Sequence, residues 1–102
     1  MVELILTRKA QKFYEQADSS LFRRLNRCFE QLCQDPYGHA NIKQLKGVYA
    51  GYFRYRVGDW RVIYKVKEVN QKDTKNMDEL SQTSSIITIV IIAHRRDVYR
   101  ES

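Results

Sequence analysis

The sequence predicts an α+β fold: a helical hairpin packed on one face of a small, mainly antiparallel sheet, in the order β-α-α-β-β-β. Three observations carry that expectation. Apolar residues recur at helical spacing twice between residues 8 and 34, and they alternate with polar ones on both sides of Gly58-Asp59. An almost continuous apolar run then covers Ile86 to Ala93. The 102 residues fit a single domain spanning 1–102. A chain of this size buries somewhat under ~70% of its unfolded surface, so one layer of helices on a sheet is the economical arrangement. Four Gly and one Pro argue against a disordered chain.

Val2, Leu4 and Leu6 alternate with Glu3, Ile5 and Thr7, which fits a first strand. Thr7 is suited to cap a helix whose apolar positions are Ala10, Phe13, Tyr14 and Ala17. Asp18-Ser19-Ser20 breaks that helix and caps the next. There Leu21, Phe22, Leu25, Cys28, Phe29 and Leu32 recur until Asp35-Pro36 stops the run. So short a link makes the two helices an antiparallel hairpin that needs a sheet to cover. Residues 36–51 show no period and read as a connection.

Gly58-Asp59 is a two-residue turn signal between β-formers. A turn centred there sets Val57 opposite Trp60, Arg56 opposite Arg61, Tyr55 opposite Val62 and Arg54 opposite Ile63. One face is then Phe53, Tyr55, Val57, Trp60, Val62 and Tyr64, a core. The other is Tyr52, Arg54, Arg56, Arg61, Ile63 and Lys65, a basic wall. Residues 68–85 are polar and read as a long mobile loop, with Met77 and Leu80 a weak sign of a short turn. The run from Ile86 to Ala93 reads as a central strand covered on both sides.

The net charge of +6 is unevenly spread. Residues 43–67 contain seven Lys and Arg against Asp59 alone, whereas residues 1–42 are nearly balanced. So local an excess suits a polyanion better than general solubility. Cys28 and Cys33 point in different directions on a helix, which argues against a disulfide and fits thiols in a reducing cytoplasm. No zinc-ligand spacing is present, and neither a metal nor another cofactor is expected. No signal peptide is visible and the longest apolar run is too short to cross a bilayer, so a soluble cytoplasmic protein with no membrane partner is expected.

Arg56 opposite Arg61, with Arg54 on the same face, is an unfavourable arrangement unless an anion spends time there. Guanidinium makes bidentate contacts to phosphate, so RNA is one occupant. A solvated face, or a site for an acidic protein segment, is the alternative. His94 and Arg95 end the Ile-rich run. The imidazole either moves a proton near neutral pH or satisfies a neighbouring backbone group. Tyr99 offers a phenol for stacking or proton transfer, or for packing. Arginines, a histidine and a tyrosine suit metal-free RNA cleavage, in which the 2′-hydroxyl attacks the adjacent phosphate. Carboxylates are scarce on this face, which disfavours metal-assisted hydrolysis.

The segment LKGVYAGYFRYRVGDWRVIYKV at 45–66, followed by HRRDVY at 94–99, resembles the RelE/ParE superfamily of toxins, and specifically its RelE branch. The order of elements agrees over nearly the whole chain. The resemblance implies a ribosome-dependent endoribonuclease that cleaves mRNA in the A site. It also implies a RelB-like antitoxin that neutralises the toxin, the complex binding its own operator DNA through the antitoxin. By position, Arg61 corresponds to the family's phosphate-stabilising arginine and Arg95 to the one in the final strand. Arg54 falls where a Lys or Arg acts on the 2′-hydroxyl, and Tyr99 matches a tyrosine that stacks on the substrate base.

Tyr52 stands where some members have a second Lys, so a two-lysine scheme does not transfer. Arg54 stays protonated and is a poor base, which shifts proton chemistry toward His94. Lys43, Lys46, Arg56, Lys65 and Arg96, with Tyr52, complete the expected RNA- and phosphate-binding surface. The stretch 68–85 exceeds the family's usual connection, and a tolerated insertion is favoured over a ribosome or antitoxin contact. Two other functions share the fold or the face. One is a ParE-like toxin that poisons gyrase by binding. The other is a non-catalytic nucleic-acid-binding module with steep salt dependence.

Overall fold

The computed structural model of the chain describes residues 2–70 and 83–98. Strand β1 (Val2–Leu6) leads into helices α1 (Arg8–Gln16) and α2 (Ser19–Gln34), followed by β2 (Ile42–Gln44), β3 (Phe53–Val57), β4 (Trp60–Asn70) and β5 (Thr83–His94). The five strands form one sheet in the order β1-β5-β4-β3-β2. β1 pairs parallel with β5, and every other pairing is antiparallel. The helical hairpin on a mainly antiparallel sheet is the fold class expected from the sequence.

The capping residues act as their chemistry suggests. The Thr7 hydroxyl accepts from the Ala10 amide, and the Asp18 carboxylate accepts from the Leu21 amide at 2.8 Å. Each satisfies an amide that the first helical turn leaves without an internal partner. The apolar stripe of α2 (Leu21, Leu25, Cys28 and Leu32) is buried with Ala10 of α1 against the sheet. Tyr55, Val57, Val62, Tyr64, Ile87, Ile89 and Ile92 supply the sheet side of that core. Tyr64 is completely buried, and its hydroxyl donates to the Pro36 carbonyl at 2.7 Å, so its polar end is satisfied. Both cysteines are free thiols, Cys28 buried and Cys33 half-buried.

Three local features differ from the sequence expectation. The connection after Pro36 contains β2, a three-residue strand that pairs Ile42 with Tyr55 and Lys43 with Arg54. It is too short to show a period. The polar stretch read as a loop from 68 is partly strand, since Glu68, Val69 and Asn70 pair with Ser85, Ser84 and Thr83. Cross-strand hydrogen bonds do not require apolar side chains. The rest of that stretch, including Met77 and Leu80, lies outside the described residues.

The third feature is a bulge. The β4–β5 register shifts between Ile63 and Tyr64, so that Ile63 pairs with Ile91 but Tyr64 pairs with Ile89. An extra residue, Val90, reverses the alternation of β5. Ile87 and Ile89 are buried under the helices before it, and Ile92 after it. Among the described residues no helix is long and apolar enough to cross a membrane.

Candidate functional site

The hairpin joining β3 to β4 turns at Gly58, whose φ of +59° lies in the left-handed region that glycine enters without steric cost. The register is Val57–Trp60, Arg56–Arg61, Tyr55–Val62 and Arg54–Ile63. Directly opposite residues share a face of a sheet. Arg54, Arg56, Arg61 and Lys65 therefore project away from the helices, and Lys43 joins them through its pairing with Arg54. One transverse row reads Lys43, Arg54, Ile63, Ile91, and the next reads Arg56, Arg61, Ala93. The face is cationic toward β2 and β3 and apolar toward β5.

Two of the arginine head groups, those of Arg54 and Arg61, are held by backbone carbonyls. Arg61 Nη1 donates to the Gly58 carbonyl at 2.8 Å and to the Trp60 carbonyl at 3.0 Å. Arg54 Nη1 donates to the Asn41 carbonyl at 3.4 Å, and the same oxygen accepts from the Arg56 amide at 3.0 Å. Arg56 and Lys65 are exposed, Arg54 and Arg61 half-buried. Such anchoring narrows where a guanidinium can go, a useful property in a group that must meet a charge at a defined position.

The chain's end meets this hairpin at its turn. The Arg95 amide donates to the Asp59 carbonyl at 2.8 Å, and Arg95 Nε lies 3.8 Å from Asp59 Oδ1. Both side chains are more than half exposed (54% and 67%), so the ion pair is screened and easily exchanged for another anion. Arg96 is exposed in the turn that follows β5. The turn brings Val98 back to a fully buried position, its amide donating to the His94 carbonyl. Ile63 and Val98 are both buried outside the cluster beneath the helices.

His94 is not on the arginine face. It pairs with Trp60, so it lies on the side of the helices. Its ring stands edge-on to the indole with centroids 5.4 Å apart, and Trp60 in turn meets Phe13 at 5.3 Å. His94 Nδ1 accepts from the Arg96 amide at 3.2 Å, a bond that holds the turn. The bulge at Val90 causes this, because it shifts the alternation by one residue. Lys46 and Tyr52 lie apart from the turn. They occupy the β2–β3 connection, closed by the Leu45 amide donating to the Tyr52 carbonyl, with Tyr52 edge-to-face on Tyr49. Tyr52 to Arg56 spans four residues of extended chain, about 14 Å. Tyr99 lies outside the described residues.

Sequence reasoning missed Arg24. Its guanidinium lies against Gly58, in the space a β-carbon there would fill. A signal existed in Arg24 and Arg27, which border the buried stripe of α2 next to Cys28. The near-balanced charge of residues 1–42 hid it.

Residues 4–99 match the family model described as the ParE toxin of type II toxin–antitoxin system, parDE. The chain belongs to the ParE toxin family, within the RelE/ParE superfamily. It is a toxin of a type II toxin–antitoxin system. Solved structures of the same superfamily share its fold. A YoeB/ParE toxin from Agrobacterium tumefaciens superposes with a TM-score of 0.71 at 18% identity, covering 90% of this chain and 96% of that one. The archaeal RelE–RelB complex from Pyrococcus horikoshii OT3 gives 0.63 at 23% identity, covering 92% and 94%. YafQ from E. coli strain BL21(DE3) gives 0.65 at 14% identity, covering 97% and 99%. No curated protein sequence matches the chain.

Proposed function

We propose that this toxin is a ribosome-dependent mRNA interferase that cleaves RNA by attack of a 2′-hydroxyl on the adjacent phosphate. The observation that carries the reading is Arg56 directly opposite Arg61, with Lys43 and Arg54 in the neighbouring row. Like charges so placed destabilise a sheet, and an RNA phosphate seated among them relieves the repulsion. Arg61, held at the turn, is assigned to the negative charge that builds on the phosphorane, a role worth roughly 10²–10³ in rate for one such donor. Arg54 and Arg95 flank it. Arg56, Lys43 and Lys65 hold neighbouring phosphates, and Lys46, Arg96 and Tyr52 bind RNA further along the strand.

A guanidinium does not deprotonate near neutral pH, so none of these arginines takes the 2′-hydroxyl proton. His94 is assigned to positioning, through its bond to the Arg96 amide and its contact with Trp60. Tyr99 is retained from the family resemblance as the group that meets the substrate base. The partner is a cognate antitoxin, as in the RelE–RelB and YoeB–YefM complexes of similar fold. Operator DNA is contacted through that complex.

A second reading is favoured by the family model itself, whose description names ParE. In that case the toxin acts on gyrase by binding and cuts no RNA. A defined translation system separates the two. Ends of mRNA mapped by primer extension are expected in the A-site codon only when ribosomes are present. Intact mRNA alongside inhibited gyrase supercoiling would select the second reading.

A further inference from the structure

Beyond the hairpin face, a cleft of about 210 Å³ opens between α2 and the end of β3. Arg24 and Arg27 come to it from the helix and Arg56 from the strand, with Asn41, Tyr55 and Val57 in its walls. β2 begins at Ile42, and just before it the Asn41 carbonyl accepts from the Arg56 amide. The edge of β3 beyond that point is uncovered, which makes room for the cleft. Among the described residues no carboxylate forms an ion pair with Arg24, Arg27 or Arg56.

The cleft and the hairpin face meet at one residue. The Arg24 guanidinium lies against the α-carbon side of Gly58, while the carbonyl oxygen of Gly58 accepts from Arg61. Glycine suits the positive φ there, and a β-carbon would displace the flexible end of Arg24. Two guanidiniums from different elements thus flank a single residue of the turn. Cationic sites repeated at close intervals match a ligand whose own charges repeat along its length.

We propose that the Arg24–Arg27–Arg56 cleft is a second phosphate subsite, which seats a backbone phosphate of the RNA as the strand passes around the β3–β4 turn. This rests on the hairpin face being an RNA-binding face. Arg56 joins the two sites, and the strand follows the sheet edge from one face to the other. The buried walls keep the subsite narrow, while the exposed Arg24 and Arg27 let it accept a phosphate without selecting a base.

The test uses non-cleavable 2′-O-methyl oligoribonucleotides, a dinucleotide and a longer one, with wild type, Arg24→Gln/Arg27→Gln and Arg61→Ala. The double variant is expected to bind the longer probe about tenfold or more weakly and the dinucleotide as wild type does. Its slope of log K against log salt is expected to fall by about 0.7 for the lost single-strand phosphate contact. Arg24→Lys/Arg27→Lys keeps the charge and retains most of the slope.

A double variant with wild-type affinity and slope, in a series where Arg61→Ala weakens both probes, overturns the subsite and leaves the hairpin reading standing. If Arg61→Ala also binds like wild type, the hairpin reading falls and takes the subsite with it. Unchanged RNA binding with lost affinity for an acidic peptide would assign the cleft to a protein carboxylate and overturn the proposal.

Discussion

On the helix-covered face of the sheet, Val62, Tyr64, Ile87, Ile89 and Ile92 are buried in one cluster with Leu25, Cys28 and Leu32. On the opposite face the same strands β3 and β4 present Arg54, Arg56, Arg61 and Lys65, joined by Lys43 of β2. The period of two in a β-strand separates the demands. One face holds the molecule together, and the other gathers cationic side chains, with Arg56 facing Arg61 across the hairpin. On the proposed function, substitutions on the arginine face are expected to remove activity with little loss of stability, and substitutions on the covered face to remove stability without touching a guanidinium.

The largest expected effect is on the covered face. Leu25 is fully buried, and Leu25→Ala is expected to cost about 2–5 kcal/mol in urea unfolding. A cost under about 1 kcal/mol would mean that α2 is not seated as described. Next comes the turn that joins the faces. Gly58→Ala places a β-carbon at positive φ and displaces Arg24, for roughly 1–2 kcal/mol. Gly58→Asn, whose side chain tolerates that region, is expected to cost less in the same assay. Equal costs would shift the cause from backbone conformation to the contact with Arg24.

A smaller effect of opposite sign is expected on the arginine face. Arg56→Thr removes the repulsion facing Arg61 and is expected to stabilise the free toxin by about 0.2–1 kcal/mol while weakening RNA binding. A destabilised Arg56→Thr would show that Arg56 already has a favourable partner in the free protein.

The smallest effect near neutral pH concerns a buried thiol and an exposed phenol. Burial raises the Cys28 thiol above its ordinary 9.0. Burial, reinforced by its hydrogen bond to Glu68, pushes the Tyr37 phenol from 10.0 up to about 12. The unfolded chain loses these protons first, so stability is fully present below pH 9 and falls as pH rises through 9 to 12. Cys28→Ala is expected to flatten the first part of that decline in a series of thermal melts. An unchanged onset would remove the thiol as its cause.

Much of the fold was legible because local chemistry marks it. Thr7 and Asp18 announce helix starts, and Gly58-Asp59 is enough to set the register of β3 on β4. The position of His94 was not legible. The run from Ile86 to Ala93 is apolar at nearly every position, so it carries no parity, and a one-residue bulge in it leaves no mark in composition. That bulge turns His94 toward Trp60 and away from the arginines. Arg24 and Arg27 were visible as a basic helix face, but only tertiary packing brings Arg24 to Gly58. β2 was missed because three residues are too few to show alternation.

The central claim is that the arginine face acts chemically and is dispensable for folding. Arg61→Ala tests it most directly, with thermal unfolding and A-site mRNA cleavage in a defined translation system measured on the same preparation. The expected result is a melting curve close to wild type and cleavage reduced by about two to three orders of magnitude. A collapsed melting temperature, or undiminished cleavage by a folded Arg61→Ala protein, would contradict it.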